Sequence, residues 1–445
     1  MKSKRTVVTG MGFVTPFGGT ESSLWEGLYS KNSAVSPLAG KYDFLQDIAT
    51  YGAACTSFTG SIDDYGELDK EIKRNIRKGA KIMCRETEMA VASAQKAIHD
   101  AGLHFENEPQ KRVGLMLGCD YMLSPPEATY SAFRACMDEN GCLHPEELGT
   151  KGLPMVTPLW LLVWLSNMPA CHISIYNQFL GPNNSITTSE ASANSTLKYA
   201  HETIARDWAD IMITGATGTR LQSIRAWQVG ISEILADKNL PPEEASRPFD
   251  KGHTGQVLGE GAGVLVLESL EHALERGANI HAEYLSACDT MAGGHSSDLS
   301  RNNLVPNYRL AFKNALIKAL DEAGKTPDEI GFIHAHGLGV PEVDRAEAEA
   351  IREVFASRST PIPVVAAKSA FGNLGAGGSA VELVAGILAL QRGVLFPTRN
   401  FVEPDDGCDL NVVVDMDTPA GDCFINLSTN FQGQTSAAII GKYRD

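Results

Sequence analysis

Two stretches of this chain echo each other at a distance close to half its 445 residues: "KAIHDAG" at 96–102 and "KALDEAG" at 318–324. Each closes a helix-like run on Ala-Gly, and glycine suits the left-handed residue that follows a helix C-terminus. Each then leads into a buried-strand pattern, "RVGLMLG" (112–118) and "EIGFIHAHG" (329–337). Helix, glycine stop and strand recur in one order, which points to an internal duplication and restricts the fold to an α/β unit built twice. Further strand candidates are "RTVVTGMG" (5–12), "NSITTS" (184–189), "DIMITGA" (210–216), "GAGVLVLE" (261–268), "PVVAAKS" (363–369), "DCFINLST" (422–429) and "SAAIIGKY" (436–443). They are β-branched and bounded by Gly, Pro or polar turns. Helix patterns at 85–102, 192–210, 343–355 and 379–393 lie between many of them, and this alternation predicts layered α/β architecture. No low-complexity linker separates the halves. Residues 1–255 and 256–445 are expected to pack as one unit.

Composition narrows the function. A net charge of −16 argues against a nucleic-acid partner, because phosphate binding needs clustered Lys and Arg. It also disfavours this chain as the main docking face for an acidic carrier protein. Nine cysteines without a C-x-x-C pair give neither a zinc framework nor a disulfide scaffold, so reduced thiols are expected. The longest apolar stretch, "LWLLVWL" at 159–165, falls far short of the roughly 20 residues of a membrane span and reads as a buried segment. The N-terminus lacks a signal-peptide core, and a cytoplasmic location is expected.

Several motifs hold candidate chemistry. "TGMGFVTPFG" (9–18) is Gly-rich after a strand but lacks the full G-x-G-x-x-G, so Gly10 and Gly12 read as a tight turn rather than a phosphate cradle. His334 and His336 lie two apart on a predicted strand, where both could face one side. No third ligand stands near them, so no metal is expected. In "RPFDKGHTGQVLGEGAGVLVLE" (247–268), Gly259, Gly261 and Gly263 permit close backbone approach and Glu260 reads as a buried hydrogen-bonding anchor. Glu190, in "SITTSEASAN" (185–194), falls at a strand-to-helix junction, where free N–H groups and the helix dipole favour a negative group. Its approach, "LGPNNSITTS", is polar but uncharged, as fits a turn tucked inside the protein.

Together these stretches resemble the β-ketoacyl-carrier-protein synthases of the thiolase superfamily, from "VVTGMGFVTPFG" to "NFQGQTSAAIIG", almost the whole chain. The most specific carriers are "NMPACHISIYNQFLGPN", "RPFD" with "GEGAGVLVLE", "HAHG", "DRAEAEAI" and "AAKSAFGNLGAGGSAVE". The resemblance implies a duplicated five-layer α-β-α-β-α thiolase fold and an obligate dimer. In that family a Cys nucleophile occupies the place of Glu190. A carboxylate there could form only a readily hydrolysed acyl anhydride. His336 matches the first of two family His residues that stabilise the enolate from malonyl-carrier protein, while Asn373 replaces the second. Losing one such donor costs about 100- to 1000-fold in rate. The family Lys is kept as Lys368. The Thr pair that holds pantetheine is replaced, with Leu338 and Val340 in "HGLGVP".

This pattern is similar to the chain-length factor, the ketosynthase-beta subunit of type II polyketide synthases, although Gln is usual there where Glu190 stands. The resemblance implies a vestigial active site of Glu190, His336, Lys368, Asn373 and Phe431, with no intact catalytic set. It implies an active ketosynthase partner, in a heterodimer or a dimer of such pairs, and an acyl carrier protein that docks mainly through that partner. It implies no cofactor beyond the carrier's phosphopantetheine. Tyr130, Phe133, Trp160 and Trp164 are the candidate chain-length gates, and ordinary packing is at least as good a reading of each. Asn430 and Gln432 replace glycines beside Phe431, which argues against a mobile gate there. The main alternative is a malonyl-carrier-protein decarboxylase that makes the acetyl primer with His336 and Lys368; a third is a homodimer that only binds acyl chains.

Overall fold

The computed structural model describes residues 4–105, 110–293 and 307–444. Eleven of its strands form one continuous sheet: β1 (Thr6–Val14), β4 (Val113–Cys119), β5 (Asn183–Ile186), β6 (Ile211–Thr219), β7 (Glu260–Ser269), β8 (Ala282–Met291), β9 (Phe332–His334), β10 (Pro363–Val365), β11 (Asn411–Val412), β12 (Cys423–Thr429) and β13 (Gln434–Gly441). Two short strands, β2 (Ser36–Pro37) and β3 (Tyr51–Gly52), pair separately.

The order across the large sheet is β11-β10-β9-β12-β13-β8-β1-β7-β6-β4-β5. Numbered from its own first strand, the half that starts at β1 runs 1-5-4-2-3, and the half that starts at β8 also runs 1-5-4-2-3 before β11 is added. The duplication is therefore topological. The halves meet where β1 pairs antiparallel with β8 through Thr6↔Tyr284, Val7↔Glu283 and Val8↔Ala282. Because β7 sits between β1 and β6, it belongs to the first half. The division thus falls between Ser269 and Ala282, later than the 255/256 boundary drawn from the sequence.

Helices Ser192–Ala205 and Ala376–Arg392 each touch strands of both half-sheets and form the middle layer. The second is buried along its length from Ala376 to Leu390, as expected of a helix apolar all round. Helix Arg85–Asp100 covers β1 and β7 on one outer side, while Tyr308–Ala323 covers β8 and β13 on the other. The order is α-β-α-β-α.

Gly10 and Gly12 lie inside β1, not in a turn. A Cβ at Gly12 would come within 2.1 Å of the Ser93 carbonyl oxygen, so their lack of side chains lets the Arg85–Asp100 helix lie directly on the strand. Glu260 is the anchor the sequence predicts: it accepts from the Cys55 N–H at 3.1 Å, from Thr219 Oγ1 at 3.1 Å and from Arg85 Nη2 at 2.8 Å.

The "LWLLVWL" segment departs from its buried reading. It belongs to an excursion between β4 and helix Met168–Asn177, and Leu159 and Leu161 are 50% and 52% exposed. No described helix is long and apolar enough to cross a membrane.

Candidate active site

Strand β5 ends at Ile186, and a 3-10 turn over Ser189–Ala191 feeds helix Ser192–Ala205. Ser189 takes φ +49°, a left-handed conformation costly for a residue with a Cβ. That bend turns Glu190 inward, where it is 3% exposed. The uncharged approach does not share this burial, since Asn183 and Asn184 are exposed on an edge strand.

Glu190 does not cap the helix that follows it. Its Oε1 instead accepts from Arg220 Nη2 and from Asn373 Nδ2, the latter at 2.9 Å. Arg220 Nη1 donates to Glu233 Oε1 at 3.0 Å, and Gln256 Nε2 donates to Glu233 Oε2 at 2.7 Å. Asn373 Nδ2 also donates to Gln256 Oε1 at 2.7 Å, which closes a five-residue ring. The Glu190 carbonyl accepts from Ser379 Oγ at 2.6 Å and Ser428 Oγ at 2.8 Å. Glu190 Oε2 is buried without a hydrogen-bond partner. A fully buried guanidinium thus serves two carboxylates, leaving the ring with one excess negative charge.

His336 follows β9 rather than lying on it, so it does not share a strand face with His334. Burial pushes its pKa well down, and the charges of Lys368 and Arg220 push it further, so the imidazole is neutral. The Thr429 N–H donates to His336 Nδ1 at 3.4 Å, a weak bond that assigns the ring hydrogen to Nε2. Glu347 fixes the His336 backbone by accepting its N–H at 2.6 Å and that of Gly337 at 2.9 Å. Burial raises the Glu347 carboxyl to about 8, against the two backbone N–H bonds that lower it. Burial likewise lowers His334 to about 3, and no group of metal-ligating side chains occurs among the described residues.

Lys368 does not reach Glu190. Its Nζ donates to Glu382 Oε1 at 2.5 Å, with both side chains buried. Glu190 and His336 line a cavity of about 350 Å³ together with Gln256, Leu338, Val340 and Phe431; Lys368 and Asn373 do not. No cysteine lines it. The Tyr308 hydroxyl donates to the Phe431 carbonyl at 2.9 Å and ties that segment down.

None of Tyr130, Phe133, Trp160 and Trp164 lines this cavity. Tyr130 and Phe133 are 59% and 42% exposed, and Trp164 packs at the edge of a small cluster of Cys84, Cys119 and Met122. Arg220, Glu233 and Gln256 carry no sequence signal of their own, and reasoning from sequence missed them. It also missed a basic surface on helix Lys70–Gly79, where Lys70, Lys73, Arg74, Arg77, Lys78 and Lys81 crowd together. Among the described residues, only Lys73 and Arg74 of these pair with acids, Asp63 and Glu71, each at 3.4 Å.

A duplicated five-layer fold with a strand-turn-helix elbow facing a His at the end of a strand defines a thiolase-type acyl-transfer scaffold. The chain belongs to the β-ketoacyl synthase family: the family's N-terminal domain matches residues 3–273 and its C-terminal domain residues 290–402. It is 31% identical over 416 residues to 3-oxoacyl-[acyl-carrier-protein] synthase 2 of Coxiella burnetii, covering 93% of this chain and 92% of that protein. It is 30% identical over 446 residues to the chloroplastic 3-oxoacyl-[acyl-carrier-protein] synthase I of Arabidopsis thaliana, covering 99% and 87%. Among solved structures it is similar to the ishigamide ketosynthase/chain length factor, at 26% identity and a TM-score of 0.79 over 99% of this chain and 100% of that one. A β-ketoacyl synthase from Burkholderia phymatum shares the fold, at 24% identity and a TM-score of 0.82 over 99% and 100%.

Proposed function

We propose that this chain is a non-condensing subunit, a chain-length factor that pairs with an active ketosynthase in a type II polyketide synthase and closes the tunnel in which the chain grows. The observation that carries this reading is the locked carboxylate at the nucleophile position. Glu190 is bound by Arg220 and Asn373, and no cysteine lines the cavity that could take its place. A condensing enzyme must hold an acyl group as a thioester; here that position is occupied by a structural ion pair.

Surface chemistry supports a partner. Strand β5 ends the sheet with its edge open and carries only uncharged residues, a template for pairing rather than a protected edge. Ile175, Leu180, Leu159 and Leu161 are at least half exposed, apolar side chains that pairing would cover. An acyl carrier protein bearing phosphopantetheine would reach the pair mainly through the ketosynthase. The gates that set product length would then be excursion side chains such as Tyr130, Phe133, Trp160 and Trp164, covered further on pairing.

One observation favours the decarboxylase reading: His336 keeps its Nε2 hydrogen and lines the cavity. Two oppose it. Lys368 is held by Glu382, and a malonyl carboxylate entering the cavity would meet Glu190 and Glu233. The test is reconstitution with malonyl- and acetyl-carrier protein. The isolated chain is expected to release no carbon dioxide and form no ketide, while addition of a ketosynthase from the same source yields product of one defined length. Carbon dioxide release by the isolated chain, lost in His336→Ala, would replace this reading with the decarboxylase.

A further inference from the structure

His253 lies outside the ring around Glu190, on the loop that leads into β7, and its imidazole is buried between two carboxylates. Its Nδ1 is 3.1 Å from Asp344 Oδ2 and its Nε2 is 3.1 Å from Asp405 Oδ2. Only an imidazolium donates from both nitrogens, so this geometry belongs to the charged ring. The two carboxylates differ in their surroundings. The Asp344 side chain is 0% exposed and accepts the N–H groups of Phe249 at 2.8 Å, Leu338 at 3.0 Å and Gly339 at 3.1 Å. It joins the His253 loop to the segment that carries the cavity wall at Leu338 and Val340. The Asp405 side chain is 20% exposed, and its Oδ2 also accepts from Arg345 Nη2 at 3.1 Å. A tight turn follows, in which Gly407 takes φ +86° and the Cys408 N–H donates to the Asp405 carbonyl at 2.8 Å.

We infer that His253 is a pH-sensitive clasp on the segment 405–408: the charged ring ties that segment to the buried Asp344, and loss of the Nε2 proton releases it. The neutral ring keeps one N–H. That hydrogen stays on Asp344, which has no contact with water and, among the described residues, pairs with no other cation. Asp405 keeps Arg345 and reaches solvent, so it is the carboxylate let go. Nε2 and Asp405 Oδ2 then face each other with no hydrogen between them. Burial lowers the affinity of His253 for its proton, but the hydrogen bonds and charges of Asp344 and Asp405 outweigh burial. The clasp is therefore closed at the ordinary histidine value and opens as pH rises through the raised one. Around the cluster stand Arg345, Glu347 and Asp406, Arg247 with Asp250, Lys251 with Glu403, and Cys408. Burial raises the Cys408 thiol to about 12, outside the range in question. Burial raises Glu347 to about 8, inside it, but Glu347 holds the His336 and Gly337 N–H groups on the cavity side. This inference is independent of pairing with a ketosynthase, and its test is read on the protein in whatever assembly it purifies.

The experiment is amide hydrogen exchange read by mass spectrometry on the full chain, at about pH 6 and about pH 9, with the intrinsic pH dependence of exchange divided out. Protection over 405–408 is expected to fall about 10- to 100-fold at the higher pH, the effect of losing one charge-assisted hydrogen bond. Leu338 and Gly339, held by Asp344, are expected to change far less. His253→Gln is never charged and is expected to leave 405–408 poorly protected at both pH values. Asp405→Asn, on the partly exposed side of the cluster, is expected to fold normally and to lose the pH step in the same way. Equal protection of 405–408 at the two pH values, or a step that persists in Asp405→Asn, would overturn the proposal. So would a change as large at Leu338 and Gly339, or one confined to His336 and Gly337, which would assign the transition to Glu347.

Discussion

Arg220→Met tests whether the ring around Glu190 is a structural replacement for catalytic machinery. Arg220 is fully buried, and its two terminal nitrogens serve Glu190 and Glu233, whose side chains are 3% and 7% exposed. Methionine fills much of the space but leaves both carboxylates facing each other with no counter-charge. Breaking a buried pair by removing one partner costs about 3–5 kcal/mol, and here one cation is lost to two anions, so the upper part of that range is expected. The triple variant Glu190→Gln, Arg220→Met, Glu233→Gln removes every charge and is expected to recover at least about 2 kcal/mol of the loss, because a neutral replacement spares the desolvation. Equilibrium urea denaturation followed by tryptophan fluorescence, at one fixed protein concentration, reads both values; the concentration is held because assembly contributes to apparent stability. Arg220→Met within about 1 kcal/mol of the unaltered protein, or a triple variant no better than the single one, would refute the reasoning.

Further expectations follow from the same geometry. Glu190→Cys should take up an acyl group from a carrier thioester, seen as an intact-mass increase, yet form no carbon–carbon bond, because Asn373 stands where the family has a His; condensation at a rate typical of the family would contradict this. His253 is held between Asp344 at Nδ1 and Asp405 at Nε2, each at 3.1 Å, with Arg345 on the far side of Asp405. Burial lowers its pKa, but these two carboxylates outweigh burial and raise it above 6.5. The folded protein therefore binds the proton more tightly than the unfolded chain, so this stabilisation is complete below the ordinary value and lost as pH rises through the raised one. His253→Gln should flatten the pH dependence of the urea midpoint in that window, and an unchanged slope would remove His253 as its cause. Leu161→Asp, on the exposed excursion, should leave the subunit folded by circular dichroism while weakening its association with a partner in analytical ultracentrifugation; unchanged association would exclude that surface.

The repeat was legible because it rests on local signals: an Ala-Gly helix stop followed by an apolar strand, twice. β6, β7, β12 and β13 were readable from β-branched runs between turns. β8 was missed because Glu283, Ser286 and Asp289 interrupt its apolar pattern. "PVVAAKS" was read too long: β10 stops at Val365, and Lys368 begins a short helix, as its Ala-rich end favours. The elbow at Glu190 was visible as a strand-helix junction, but its partners were not. Arg220, Glu233, Gln256 and Asn373 come from four separate stretches, which backbone pairings between loops bring together: the Arg220 N–H donates to Gly259, the Gln256 N–H to Ile234 and the Asn373 N–H to Val257. Net charge concealed the basic Lys70–Gly79 surface, since a total of −16 says nothing of where cations gather. The apolar run at 159–165 failed as a guide to burial for a related reason: it lies on an excursion between β4 and helix Met168–Asn177, where Leu159 and Leu161 are half exposed.

The most direct test of the central claim is a native mass spectrum of this chain purified after co-expression with ketosynthases from the same genome. A one-to-one heterodimer, or a dimer of such pairs, with one ketosynthase is expected. A stable homodimer that ignores every ketosynthase would contradict it.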